Sequence, residues 1–304
     1  MAIRDNRDEE NRDELVERLA QKCAKDGPNP VAQDLHFFRH SNPSQPVHGV
    51  YSPSICVIAQ GAKEVLLGEE RFRYDPANYL LCSLDVPVVS QVVDATPEKP
   101  YLGMKFDLDP ALIASVSVEA GISALRAESS VKSIAVSKLQ GDLLDAFVRL
   151  IRLLDTPADY RVVSPLVTRE IIYRLLNSDQ GARLRQIAVF GGNTHRITRA
   201  VQTLRTRYNE SLNIEDLASD LGMSVSSFHQ HFKTATSMSP LQFQKLLRLQ
   251  EARRLLLTED MDASSAAVRV GYDDASQFTR EYKRLFGDPP MRDVQRFKRV
   301  AEVS

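Results

Sequence analysis

A pattern of residues that occurs twice in the last third of the chain constrains the fold more than any other sequence feature. In each copy an alanine lies four residues before a glycine, two aromatic residues follow at spacing i, i+4 with a lysine directly after them, and a proline lies eight residues beyond the second aromatic. The two copies are Ala218, Gly222, Phe228, Phe232, Lys233, Pro240 and Ala267, Gly271, Phe278, Tyr282, Lys283, Pro290. The second copy has one extra residue after its glycine. The shared order predicts two copies of one structural unit.

The residue types in this order are typical of two helices joined by a tight turn. The small alanine allows the helices to approach closely, and the glycine suits the left-handed backbone that ends the first helix. Ser224 can cap the second helix of the first copy, and Asp273 or Asp274 that of the second. Each aromatic pair then faces a core. The pattern predicts two helix-turn-helix units; the alternative is an ordinary helical bundle in which these residues merely recur.

The face of each second helix opposite the aromatic pair is polar. Such a helix can enter the major groove of DNA with its N-terminal half on base edges. From Asn193 onward the chain has 17 Lys and Arg against 14 Asp and Glu, whereas the part before it has 22 against 26. A basic C-terminal part beside an acidic N-terminal part suits a polyanionic partner at one end only.

The rest of the chain divides by hydrophobic periodicity, and the whole predicts an α+β protein. Residues 1–30 are predicted to form an N-terminal extension with a short helix at 12–24, which the Gly-Pro-Asn-Pro segment at 27–30 ends. Residues 31–107 predict an antiparallel β sandwich or barrel. Its expected strands are 54–60, 64–67, 71–74, 78–83, 86–93 and 101–107.

Residues 108–190 are predicted to be helical, and Gly191-Gly192 marks the boundary before an all-α domain over 193–304. Apolar stripes at 139–154 and 166–176 indicate amphipathic helices. They are interpreted as a dimer interface, as a helical core beneath the β domain, or as both.

Residues 194–300 resemble the AraC/XylS family of transcription regulators. The segment 271–290, GYDDASQFTREYKRLFGDPP, is similar to the C-terminal signature of that family. The resemblance implies two helix-turn-helix units joined by a long helix over 240–257, which bind two adjacent major-groove segments on one DNA face. Met291-Arg292-Asp293 departs from the aromatic-then-Arg ending often seen. Residues 54–63 and 100–102 are similar to the cupin-like N-terminal domain of one AraC subgroup.

Family position implies which side chains meet DNA. The expected base contacts are Ser226, His229, Gln230, Ser276, Gln277 and Arg280, and the expected phosphate contacts are Lys233, Thr279, Lys283 and Arg284. Phosphate contacts position the protein, whereas base contacts specify the sequence. The alternative for the cations is a solvated face with ion pairs to Glu281 or Asp274.

The β domain is expected to bind a small effector. The candidate pocket residues are Cys56, Tyr79, Cys82, Tyr101 and Met104. Core packing is the alternative for all of them, and the two cysteines could also sense an aldehyde or an oxidant as thiols. A small organic molecule, an aldehyde and a nucleotide messenger remain open; the few arginines of the β domain, Arg39, Arg71 and Arg73, make a nucleotide the weakest of the three.

Three functional hypotheses follow: an effector-controlled transcription regulator, an effector-independent DNA-binding or partner-binding protein, and a cupin enzyme with an added DNA-binding domain. The partners expected for the first are double-stranded DNA, a small effector and, by resemblance, RNA polymerase; a homodimer is left open. We expect no enzymatic activity, because no catalytic motif is present and residues 31–107 lack the His-x-His plus Glu pattern of metal cupins.

No cofactor and no metal site are expected. The pair His229 and His231 points to opposite sides of a helix, and His36 and His40 would lie roughly 13 Å apart along a strand. The uncharged stretch 40–62 is interrupted by prolines, so no membrane segment is expected. The charged N-terminus and three cysteines without a CxxC predict a cytoplasmic protein.

Overall fold

The computed structural model describes residues 2–32, 34–122, 132–188, 192–259 and 261–303. The chain forms two compact units, and the boundary between them along the sequence lies between Arg196 and Ile197. The boundary thus falls a few residues after the predicted one and inside a helix; Gly191 itself is outside the described residues.

The first unit contains two antiparallel sheets, as the short apolar runs predict. The six predicted strands between residues 54 and 107 are confirmed within one or two residues at each end. The strands are β1 (Gly27–Ala32), β2 (Leu35–His40), β3 (Val47–Tyr51), β4 (Ser54–Gln60), β5 (Ala62–Leu67), β6 (Glu70–Tyr74), β7 (Asn78–Cys82), β8 (Val86–Asp94), β9 (Tyr101–Asp107) and β10 (Ile134–Lys138). One sheet has the order β1-β2-β9-β4-β7-β10, and the other has the order β3-β8-β5-β6.

Two edge strands correct the predicted domain limits. The 27–30 segment, interpreted as a helix end within an extension, forms most of β1 and pairs with β2. Strand β10 lies in the region 108–190 that was predicted to be helical, and it pairs with β7. Both are short edge strands, and each is stabilised by backbone hydrogen bonds to a neighbouring strand. For β10 this neighbour, β7, is distant in sequence. Such pairing overrides local propensity, which is why periodicity does not reveal it.

Helices cover one face of the six-stranded sheet. They are α1 (Ala2–Lys22), α2 (Pro110–Glu119), α3 (Gly141–Arg152), α4 (Pro157–Leu176) and α5 (Gly181–Ala188), with a 3-10 turn at Leu153–Asp155. Helix α1 starts ten residues before the predicted one. Leu19 of α1, Phe147 of α3 and Ile171 of α4 are fully buried in one core with Ile55 and Phe106 of the sheet.

The two predicted apolar stripes therefore serve as the core beneath the β domain. Leu144, Leu150, Ile172 and Leu175 are at most 1% exposed. Only Leu166 among the residues predicted for the second stripe is largely exposed. The core interpretation accounts for the buried members of both stripes.

The second unit is helical throughout. Its helices are α6 (Gly192–Thr206), which crosses the boundary, α7 (Ile214–Asp220), α8 (Val225–Thr236), α9 (Pro240–Thr258), α10 (Ala263–Arg269), α11 (Ala275–Phe286) and α12 (Pro290–Val303). The repeat forms two helix-turn-helix units, α7–α8 and α10–α11. The long helix predicted over 240–257 is α9, which begins with a capping box at Ser239 and Gln242.

The repeated residues have the roles predicted for them. Ala218 and Ala267 are buried. Gly222 and Gly271 end the first helix of each unit with φ of 61° and 88°. The aromatic pairs are fully buried, with ring centroids 5.5 Å apart for Phe228 and Phe232 and 5.6 Å apart for Phe278 and Tyr282.

Gly271 is required for a second reason. A Cβ on this residue would lie 2.0 Å from the carbonyl oxygen of Asn209, a backbone atom that cannot rotate away. Gly287 has almost the same φ, 87°, but nothing lies within 4 Å of a Cβ placed there. The two glycines thus separate the cost of a left-handed backbone from the cost of a close contact.

We expect Gly271→Ala to destabilise the second unit more than Gly287→Ala does. The left-handed conformation costs about 1–2 kcal/mol for a non-glycine residue in both variants, and the collision with Asn209 adds about 1–3 kcal/mol in the first alone. Native-state hydrogen exchange of the amides in α10 and α11 measures both losses. Equal losses in the two variants would contradict the close-contact argument.

Candidate functional site

The N-terminal ends of α8 and α11 are both fixed by side-chain caps. The Asp274 carboxylate accepts a hydrogen bond from the backbone N–H of Ser276 at 2.7 Å, and the Ser224 hydroxyl accepts one from the N–H of Ser227 at 3.3 Å. These caps leave the first turn of each helix ordered and its side chains directed outward. That is the part of a recognition helix that approaches base edges.

The residues predicted to contact bases lie mostly on open surface. Ser226, Gln230, Ser276, Gln277 and Arg280 are exposed. His229 is half-buried, with its ring 6.1 Å from that of Phe228. The structure therefore brings three of these side chains together on each helix, on the face opposite the buried aromatic pair.

The residues predicted to contact phosphate differ among themselves. Lys233, Lys283 and Arg284 are exposed, whereas Thr279 is half-buried. The Thr279 hydroxyl donates a hydrogen bond to the Ala275 carbonyl within its own helix at 2.9 Å. It can still accept a hydrogen bond but has no second proton to donate.

The charges of α11 have partners on and off the helix: backbone hydrogen bonds from Ser276 and Gln277, and the charge of Arg280, lower the pKa of Asp274. Glu281 is 2.8 Å from the Lys245 ammonium and accepts a hydrogen bond from the Tyr272 hydroxyl at 2.8 Å. Although burial raises the Glu281 pKa, these two partners hold it below its usual value, so the carboxylate stays ionised. Within the part of the chain that the structure describes, Arg280 and Lys283 form no ion pair with Glu281 or Asp274.

One arginine of α9 ties the two helix-turn-helix units together. The Arg248 guanidinium donates hydrogen bonds to the backbone carbonyls of Tyr208, Glu210 and Gly271, at 2.6, 2.7 and 2.7 Å. Tyr208 and Glu210 precede the first unit, and Gly271 is the turn of the second. Gln244, one helical turn earlier, donates to the same carbonyls of Tyr208 and Glu210. The two recognition helices are thus held at one fixed separation.

The last helix has its own anchor where the chain departs from the usual family ending. The Asp293 carboxylate is fully buried and accepts two hydrogen bonds from Arg253, at 2.8 and 2.9 Å. Tyr282 and Arg296 also donate to it, at 2.9 and 2.6 Å. Asp293 therefore joins α9, α11 and α12, and the helix that the departure left in doubt is formed.

The first unit encloses a cavity of about 330 Å³ between its two sheets. This volume falls at the lower end of the range for small-molecule sites, about 300–1,000 Å³. The walls are mainly apolar, with polar groups from several strands. The lining includes Phe38, His40, Val47, Val50, Tyr51, Cys56, Lys63, Tyr74, Val92, Tyr101, Met104 and Lys105.

Three of the five predicted pocket residues, Cys56, Tyr101 and Met104, line this cavity. The other two lie elsewhere. Tyr79 is buried in the core beneath the helices, and the Cys82 thiol donates a hydrogen bond to the Leu84 carbonyl at 3.1 Å. Strand pairing explains the position of Tyr79, because Tyr79 lies opposite Val57, which faces the other side of β4 from Cys56.

Burial keeps the acidic groups of the cavity protonated. It raises the pKa of the Tyr74 and Tyr101 phenols and of the Cys56 thiol. A neutral thiol is a poor nucleophile, which weighs against Cys56 as an electrophile sensor. The His40 pKa is lowered by burial and by the nearby Lys63 ammonium.

The residues missed by sequence reasoning are Phe38, Tyr51, Lys63 and Tyr74. The alternation along β5 carried a signal for one of them, because Lys63 shares a strand face with Val65 and Leu67, both fully buried.

No helix in the described ranges is both long and apolar enough to span a membrane.

The first unit is a β sandwich with an internal cavity, and two helix-turn-helix units with exposed polar faces follow it in sequence, an organisation typical of ligand-responsive DNA-binding regulators. Comparison with known proteins agrees. The AraC-type transcriptional regulator N-terminus matches residues 32–183, and a helix-turn-helix domain matches residues 217–296. The chain belongs to the AraC-type transcriptional regulators.

Curated relatives match only part of the chain. The raffinose operon transcriptional regulatory protein RafR of Pediococcus pentosaceus is 34% identical over 98 residues, which are 32% of this chain and 35% of RafR. The regulator ExsA of Pseudomonas aeruginosa is 28% identical over 130 residues, 43% of this chain and 46% of ExsA. The chain thus spans between about a third and a half of the length of these relatives.

The fold is similar to that of ToxT from Vibrio cholerae, solved with an unsaturated fatty acid bound. The TM-score is 0.54 at 9% identity, over 85% of this chain and 94% of ToxT. At this identity the likeness shows the fold.

We expect Arg248→Ala to destabilise the second unit by on the order of 3 kcal/mol, since three charge-assisted hydrogen bonds to carbonyls are lost. Arg248→Lys keeps the charge but not the planar fork, so it should recover only part of the loss. The control is Arg254→Ala on the same helix, an exposed residue paired with Glu251 at 2.8 Å, which should cost much less because water screens an exposed ion pair. Hydrogen exchange of α9–α11 amides measures all three; a loss no larger than that of the control would contradict the tie.

Proposed function

We propose that this protein is a transcription regulator that binds two adjacent major-groove segments of DNA, one with α8 and the other with α11. The observation that carries the proposal is the pair of capped helices with exposed polar faces, held at fixed separation by Arg248. Dimer half-sites lie one helical turn apart, at about 34–36 Å. With two recognition helices in one chain, two such groove segments can be contacted without a second copy of the protein.

The two recognition helices, α8 and α11, differ in chemistry. On α11, Arg280 is the candidate for a bidentate contact to a guanine edge, with Ser276 and Gln277 beside it. On α8 the corresponding positions carry Ser226, His229 and Gln230, which are uncharged donors and acceptors when the histidine is neutral. We propose that Lys233, Lys283 and Arg284 contact phosphates and that Thr279 does so as an acceptor or through water. Helix α11 then supplies more of the preference for DNA sequence than α8 does.

We propose that a small organic effector occupies the cavity of the first unit and controls DNA binding, and that RNA polymerase is the downstream partner. Support for the effector comes from the apolar walls of the cavity and from ToxT, a protein of the same fold that binds a fatty acid. Among the described residues, no arginine lines the cavity, which disfavours a nucleotide.

The full chain, tested by binding-site selection on random DNA, should enrich a sequence with two half-elements about one helical turn apart. Arg280→Ala should relax selection at one position, costing about 1–3 kcal/mol for the preferred base and little for the others. Lys283→Ala should instead weaken all sequences alike and reduce the salt dependence of binding by about one ion.

Arg254→Ala removes a cation from α9 and serves as the matched control for charge alone. Uniform weakening by Arg280→Ala would refute its base contact and leave the regulator proposal standing. No enrichment of any sequence by the wild-type chain would refute the regulator proposal itself.

A further inference from the structure

Lys63 is a half-buried charged residue on the inward face of β5. Side chains alternate between the two faces of a strand, so Lys63 shares its face with Val65 and Leu67, which are fully buried. Its side chain lines the cavity between the sheets. The turn before it is tightly constrained, because a Cβ on Gly61 would lie 2.4 Å from the Asp94 carbonyl oxygen.

Aromatic groups surround the Lys63 ammonium. Its Nζ lies 5.9 Å from the ring centroid of Phe38 and 5.7 Å from that of Tyr51. Both distances are within the range of cation–π contacts, about 6 Å. These contacts stabilise the cation only in part and supply no negative charge.

No carboxylate neutralises Lys63 in the described structure. The cavity lining contains no aspartate or glutamate. The other lysine of the lining, Lys105, is paired with Asp107 at 2.7 Å, and Glu64, next to Lys63 in sequence, is paired with Arg71 at 2.8 Å on the other face of the strand. The cavity therefore carries one uncompensated positive charge, which is costly in an apolar setting.

We propose that Lys63 anchors a small organic monoanion, namely a carboxylate on a compact apolar body, in the cavity of the first unit. The inference rests on the proposed function, since it names the class of the effector. A carboxylate would compensate the charge of Lys63, and the hydroxyls of Tyr51, Tyr74 and Tyr101 are placed on the same cavity walls to donate hydrogen bonds to it. The apolar body would contact Val47, Val50 and Val92.

Two observations favour an acid over the alternatives. Burial by itself lowers the pKa of the Lys63 ammonium, but its hydrogen bond with the Tyr51 hydroxyl and its other polar neighbours in the cavity raise the pKa overall. A protonated amine attracts a carboxylate and is a poorer nucleophile toward an aldehyde than a free amine. The volume of 330 Å³ is about twice that of a 150 Å³ cavity that accepts benzene, which suits an aromatic ring with a short acid chain and excludes a dinucleotide.

The test compares ligands of one shape and different charge on the full-length chain. The probes are 4-phenylbutyrate, 4-phenylbutanol and 4-phenylbutylamine, measured by calorimetry and thermal shift, with benzoate and 3-phenylpropionate as shorter acids. We expect at least one acid to bind, and the butyrate to bind at least tenfold more tightly than the alcohol and the amine. Failure of every acid to bind, or equal binding of the alcohol, would overturn the assignment.

Variants assign the preference to Lys63. Lys63→Met should abolish the preference for the acid, Lys63→Arg should keep it, and Lys132→Met, at an exposed lysine outside the cavity that is paired with Glu70 at 2.8 Å, should also keep it. Without ligand, Lys63→Met should melt at a higher temperature than wild type because an uncompensated charge is removed. A preference that persists in a folded Lys63→Met protein would overturn the role of Lys63.

The same preparations are tested for selection of DNA sequence. If the wild-type chain selects a DNA sequence but shows no preference for the acid, only the proposed class of effector is refuted. Absence of DNA selection with an intact acid preference would remove the proposed function while leaving the ligand site.

Discussion

The hydrogen bonds from Arg248 to three backbone carbonyls are the interaction on which the DNA-binding unit depends. A helix-turn-helix positions its own recognition helix, whereas contacts with α9, among them Lys245 with Glu281 and Phe232 with Phe243, connect the two units. Arg248 does so by joining the segment before the first unit, at Tyr208 and Glu210, to the turn of the second, at Gly271. A planar guanidinium can satisfy three acceptors at once, which no other side chain does with a fixed geometry.

Gly271 is the counterpart of this tie. Its carbonyl accepts from Arg248 while its missing Cβ leaves room for the Asn209 carbonyl at the same junction. The glycine is therefore set by two demands, a left-handed backbone and a backbone-to-backbone approach. The buried Asp293 with Arg253, Tyr282 and Arg296 completes the unit from the other end of α9. Polar groups inside this unit thus specify geometry, and the buried aromatic pairs supply the apolar burial.

In the first unit the important feature is a charge that has no partner of opposite sign. Most charged residues near the cavity are paired, as Lys105 is with Asp107 and Glu64 is with Arg71. Lys63 is the exception among those that line it, and it is held at its place by the strand face it shares with Val65 and Leu67. A protein that merely packed its core would carry an apolar residue there, since burying a lone charge is unfavourable. A ligand that carries a negative charge would compensate Lys63 and account for a charged residue at this position.

The sequence by itself determined the fold class, the two helix-turn-helix units and the long helix between them, because these follow from local order: the spacing of Ala218, Gly222 and Phe228 repeats at Ala267, Gly271 and Phe278. It also located six strands from their apolar runs. Only the tertiary structure decided the rest. Strands β1 and β10 form by pairing with neighbours, Tyr79 and Cys82 fall outside the cavity while Lys63 falls inside it, and Arg248 meets carbonyls 23 to 40 residues away. Except for the local pairing of β1 with β2, each depends on contacts between residues distant in sequence, which periodicity and propensity do not encode.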